Sequence, residues 1–80
     1  MLNDWKKRKD RNPYITHSWI NKKKMLMIDI HYDIGFDKQR NTTIYDLSDH
    51  GLSGFKDLKT FYGNNEQEAL KFAMDYMRSN

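Results

Sequence analysis

Cysteine and valine are both absent from the 80 residues, and proline occurs once, at Pro13. Without thiols there is no disulfide, no thiolate metal site and no cysteine nucleophile, a composition that suits a reducing cytosol. No apolar run approaches the roughly 20 residues that cross a bilayer, and Met1 to Arg11 lacks the apolar stretch of a secretory signal. The expectation is a cytoplasmic protein with no membrane partner. A chain of this length makes one domain that buries roughly 60% of its unfolded surface, which argues against a deep enclosed active site.

Charge is plentiful but unevenly placed. Residues 1–24 hold eight basic side chains against Asp4 and Asp10, whereas residues 25–80 hold six against nine, so a +6 segment precedes a −3 remainder. Abundant Lys, Asn and Asp with scarce Ala and Pro is the usage of AT-rich genomes such as many phages have, which would place the chain in a host-cell cytoplasm.

Residues 1–12 are too polar to pack apart from Leu2 and Trp5 and read as a mobile basic arm ahead of a single α+β domain at 13–80, with the Asn12-Pro13 pair at the boundary. Tyr14 to Ile20 is rich in β-branched and aromatic residues, and Asn21 to Lys24 breaks it from a second apolar run, the signature of a hairpin. From Leu26 onward the even positions Leu26, Ile28, Ile30 and Tyr32 are apolar and Asp29, His31 and Asp33 alternate with them, so one strand face is core and the other wet. Gly35 to Asn41 reads as a polar loop, and residues 42–48 alternate again with Tyr45 and Leu47 on one face.

Phe55, Leu58 and Tyr62 recur at helical spacing until Gly63-Asn64, and Asn65 followed by Glu68 is a capping-box arrangement that opens a second helix to Arg78. The fold expected is thus a three-stranded antiparallel meander (14–20, 25–34, 42–48) followed by two C-terminal helices (54–62, 65–78). Its core is Leu26, Ile28, Ile30, Tyr45, Leu47, Leu58 and Leu70. The last helix carries one narrow charged stripe, and its apolar residues cover more of the cylinder than one small sheet buries. Phe72, Met74 and Tyr76, joined by Phe55, Leu58 and Tyr62 from the first helix, are therefore candidates for a partner surface or a homodimer.

The clearest chemical signal is the pair of basic runs. Lys6, Lys7, Arg8, Lys9 and Arg11, with Lys22, Lys23 and Lys24, suit phosphates, which reward clustered positive charge by counterion release. Trp5 and Trp19 would add stacking on single-stranded bases. The plainer alternative is a solvated tail and a soluble hairpin tip. Asp29, His31 and Asp33 could hold a divalent ion, but alternating polar residues are what any half-exposed strand shows. His17 and His50 share no ligand spacing, and Ser53 lacks the G-x-S-x-G frame of a nucleophile and reads as a helix cap. The pattern implies no catalytic residue, no cofactor and no metal.

Gly51-Leu52-Ser53 to Tyr62-Gly63-Asn64, with Leu58 between and a two-strand hairpin upstream, resembles the small uracil-DNA glycosylase inhibitors of Bacillus podophages. Those are homodimeric DNA mimics that take an apolar side chain of the enzyme into a hydrophobic pocket. The resemblance implies Leu58 and Tyr62 in the pocket wall and places Lys59 where that family has an acidic residue. More broadly it implies a non-enzymatic, anti-CRISPR-like inhibitor that occludes a host or defence protein acting on nucleic acid, free or as a nucleoprotein complex. The alternative is a module that binds DNA or RNA directly through the basic arm and hairpin.

Overall fold

The structure, a computed structural model, describes residues 4–33, 35–48 and 56–80, with only the backbone course at 36–38. Five strands, β1 (Lys6–Arg8), β2 (Ile15–Asn21), β3 (Leu26–Asp33), β4 (Phe36–Asp46) and β5 (Lys56–Gly63), precede one helix, α1 (Glu66–Ser79). Every strand pairs antiparallel with its sequence neighbour in the order β1-β2-β3-β4-β5. This corrects the expected three strands and two helices to a five-stranded meander with a single helix.

The corrections have identifiable causes. Residues 54–62 were expected to be helical because Phe55, Leu58 and Tyr62 stand three and four apart. In the structure Lys59 opposes Ile44 and Asp57 opposes Tyr45, so Leu58 falls in a β-bulge. A bulge adds one residue to a two-residue period, and that offset imitates helical spacing. The supposed loop before residue 42 is the first half of β4: Asp33 pairs with Phe36 across a two-residue turn containing Gly35 at φ 124°, a conformation that side chains resist. Residues 6–8, expected in the arm, pair with β2 as an edge strand. Phe55, His50 and Ser53 lie outside the described residues.

One sheet face packs on α1. Ile28, Ile30, Thr42 and Ile44 are completely buried there, against Ala69, Ala73 and Met77 of the helix. Those three recur at i, i+4 and i+8, and the alanines let the helix backbone come close enough for Thr42 Oγ1 to donate to the Ala69 carbonyl at 3.3 Å. That bond satisfies a polar core residue and leaves Ile44, not Tyr45 or Leu47, on the buried side of β4. The expected core holds at Ile28 and Ile30; Leu26 and Leu70 pack partly against it, Tyr45 and Leu47 are half-buried, and Leu58 is 48% exposed.

The wide apolar stripe of α1 is also explained. Phe72 stacks on Phe61 of β5 with centroids 4.6 Å apart, and Tyr76 meets Trp5 edge-to-face at 6.5 Å. Phe72, Met74 and Tyr76 are therefore half-buried against the core and not a free partner surface. Asn65 caps the helix as its spacing implied, its side chain accepting from Glu68 N at 2.9 Å while Glu68 Oε1 accepts from Asn64 N at 2.9 Å. Among the described residues no helix is long and apolar enough to cross a membrane.

Candidate nucleic-acid interface

The sheet gathers the two basic runs at one edge. Lys6, Lys7 and Arg8 form the outermost strand, and Lys6 pairs with Ile20, just before the β2–β3 turn that carries Lys22 to Lys24. Asp4 stands beside that turn, with its carboxylate 3.8 Å from Lys23 Nζ. All eight cations lie on this edge and turn or on the segment that continues them. Arg8 is half-buried and the other seven are exposed. Lys6, Lys7, Lys9, Arg11, Lys22 and Lys24 have no ion-pair partner among the described residues.

Alternation along β1 divides the tasks. Lys7 points to the helix side, where its ammonium sits 4.6 Å above the Trp19 ring and donates to His17 Nδ1 at 2.7 Å. An ammonium has no acceptor lone pair, so Nδ1 accepts and the imidazole proton is on Nε2, which donates to Glu66 Oε1 at 2.9 Å. The chain Lys7–His17–Glu66 thus fastens the basic edge to the start of α1. His17 also stacks on Trp19 at 5.7 Å. Trp19, expected to stack on bases, is 8% exposed, and Trp5 is 6% exposed; both belong to the core.

Arg8 points to the opposite face, where its Nη1 reaches Asp10 at 3.3 Å, Ser18 Oγ at 3.2 Å and Met27 Sδ at 3.1 Å. It begins a polar row that crosses the whole sheet: Arg8, Ser18, Asp29, Thr43 and Thr60 are successive cross-strand partners. Ser18 donates to Asp29, and the hydroxyls of Thr43 and Thr60 meet at 3.3 Å. Asp29, expected to be wet, is 3% exposed. Burial raises its carboxyl above the usual range, while the Ser18 hydrogen bond and Arg8 pull it back down.

His31 bonds to Thr43 Oγ1 and to the Tyr32 carbonyl, and Asp33 accepts from Asn41, so neither is directed at Asp29. Among the described residues no three His, Cys, Asp or Glu side chains are grouped for a metal.

Two cavities border the edge. Where β1 stops at Arg8 and β2 runs on to Ile15, an open slot of about 420 Å3 is lined by Lys7, Lys9, Thr16 and His17. Beside it, sharing Ile15 as a wall, lies a cleft of about 270 Å3 lined by Asn12, Tyr14, His31, Tyr32 and Tyr45. The Asn12-Pro13 turn builds the rim. Asn12 N donates to Asp10 Oδ1 at 2.8 Å, Asn12 Oδ1 accepts from Tyr14 N at 3.0 Å, and the Tyr14 carbonyl accepts from Tyr32 N at 2.9 Å. Tyr14 is left 58% exposed and Tyr32 39%, with the Arg40 guanidinium 4.1 Å over the Tyr32 ring. Sequence reasoning missed these tyrosines; the Asn-Pro turn beside Tyr14 was the available signal.

The far edge is different in kind. β5 carries Tyr62, 72% exposed, and Leu58, 48% exposed, among the described residues the most exposed large hydrophobic side chains besides Tyr14. Neither protein families, curated proteins nor solved structures give a match to this chain.

Proposed function

We propose that this protein binds nucleic acid without transforming it, with the β1 edge and the β2–β3 turn lying along the phosphate backbone. One observation carries the reading: two basic runs separated by ten residues in sequence converge on one edge, and six of their eight cations have no ion-pair partner among the described residues. Unpaired exposed cations on one surface are what counterion release rewards. A binding role suits the sheet face opposite the helix as well, since Ser18 and Asp29 are bonded to each other and buried. Both features fit a cytoplasmic protein that meets nucleic acid directly.

The test is binding of the full chain to labelled duplex and single strands as salt rises from about 50 to 200 mM, over which several phosphate contacts lose orders of magnitude in affinity. Substituting Lys6, Lys9 and Arg11 by glutamine should flatten the dependence. Binding that ignores salt, or no binding at all, removes this reading.

A second reading is an inhibitor of mobile-element origin that covers a host or defence protein, and the exposed Leu58 and Tyr62 at the β5 edge favour it. Purification from host lysate with and without nuclease separates the two. A protein partner that survives nuclease and is lost with Tyr62→Ser supports the inhibitor; loss of every partner on nuclease treatment supports nucleic-acid binding.

A further inference from the structure

The slot and the cleft are adjacent, share Ile15, and differ in chemistry. The slot is lined by Lys7, Arg8 and Lys9 with Asp10, three cations to one carboxylate, while the Thr16 hydroxyl is committed to the Ile30 carbonyl and the His17 ring to Lys7 and Glu66. The cleft is lined by three tyrosines with Asn12, Ile15 and His31, and among the described residues no Lys, Arg, Asp or Glu lines it. A nucleotide has the same division, with an anionic phosphate next to a flat base.

We propose that the site takes a single strand, with one phosphate held in the Lys7–Lys9 slot and the neighbouring base stacked on Tyr14 in the tyrosine cleft. The proposal rests on the reading of the basic edge as a nucleic-acid surface and specifies what that surface accepts. A base inside a duplex has both faces covered by its neighbours, so only an unstacked base presents a face to a tyrosine ring. Tyr14 is suited to receive it: its ring is 58% exposed while its backbone is tied by bonds to Asn12 and Tyr32. Tyr32 also lines the cleft, and the Arg40 guanidinium lies over its ring. Sequence discrimination is not expected, because every base has a π face.

The experiment measures fluorescence anisotropy of a labelled oligothymidylate and of a duplex of equal length against the full chain, its Tyr14→Ser and Tyr14→Trp variants, and Lys9→Gln. The single strand should bind more tightly than the duplex. Tyr14→Ser should weaken single-strand binding by about tenfold, the loss of one stacked base, with duplex affinity and the salt slope unchanged, and Tyr14→Trp should restore it. Lys9→Gln should weaken both and lower the slope. If Tyr14→Ser leaves single-strand affinity unchanged, or weakens the duplex equally, the stacking proposal is wrong, while a persisting Lys9→Gln effect keeps the basic edge. If the wild-type chain binds neither strand form, both ideas fall together. Circular dichroism of Tyr14→Ser serves as the fold control, and the Tyr14→Trp result decides the matter if that variant is disordered.

Discussion

Asp29 is held out of water on the sheet face opposite the helix, with Ser18 as its hydrogen-bond donor and Arg8 nearby. Burial is the largest influence and raises its carboxyl above the ordinary 3.8. Between that unfolded value and the higher folded one, the folded chain holds more protons than the unfolded chain. The contribution of protonated Asp29 to stability is therefore complete below the unfolded value and is lost as pH rises through the folded value. Asp29→Asn removes this loss, so the stability of the variant relative to wild type should climb from acid to neutral pH. Urea unfolding at a series of pH values checks it, and a difference that is flat or falls would mean that the Arg8 attraction outweighs burial. Asp46, half-buried and held low by hydrogen bonds from Ser48, acts with the opposite sign in both proteins and cancels in the comparison.

Gly63 is a second residue with a local consequence. A Cβ there would lie 2.9 Å from the Arg40 carbonyl oxygen and 3.4 Å from Ala69 N, both backbone atoms that cannot swing aside. Gly63→Ala should push β5 from β4 and cost about 1–3 kcal/mol. The midpoint of chemical denaturation measures this, and an unchanged midpoint would show that the β5–α1 junction yields freely.

At the scale of elements, legibility followed the strength of each segment's own pattern. The pairing of β2 with β3 and the cap and course of α1 were readable because Ile28 and Ile30 alternate cleanly and Asn65 stands three before Glu68. β1 was not readable, since Lys6 to Arg8 form a strand only because β2 offers an edge; charged edge strands carry little hydrophobic pattern. β5 was misread through its bulge at Leu58, and the face of β4 through Thr42, whose hydroxyl is satisfied by a helix carbonyl that no sequence displays. For the site, charge was legible and exposure was not. Both tryptophans read as stacking groups are core, while Tyr14 is displayed by a turn. The packing of α1 gives a direct check. Met77, 1% exposed, should cost about 2–5 kcal/mol as alanine. Replacing Met74 and Tyr76 by charged residues should also destabilise the fold, because both contact the core. A charged double variant with wild-type stability would return that helix face to the list of partner surfaces.

At the scale of the whole molecule, the sheet converts a sequence asymmetry into a spatial one. The +6 of residues 1–24 occupies the β1 edge and the β2–β3 turn, while the acidic Glu66 and Glu68 open a helix anchored on the other side of the Lys7–His17 link. The turn lysines are the most separable part of this charge. Lys22 and Lys24 have no ion-pair partner among the described residues, and Lys23 meets Asp4 only at 3.8 Å with its own side chain 79% exposed, a pair worth little in water. Each is free to exchange its counterions for a phosphate, and a single strand returns a slope of roughly −0.7 per contact in log affinity against log salt. Substituting Lys22, Lys23 and Lys24 by glutamine should therefore lower the magnitude of that slope by about 2 if all three engage. The fold should be unaffected, because the turn is set by Asn21 Oδ1 accepting from Lys24 N and by Met25 in the left-handed region at φ 54°, neither of which uses a lysine side chain. Lys56 and Lys71, on β5 and α1, supply the control: they are equally exposed cations away from the β1 edge, and their substitution by glutamine should leave the slope nearly unchanged. Equal losses per lysine replaced in the two sets would mean that affinity follows net charge alone, and the β1 edge would then have no special claim as the binding surface.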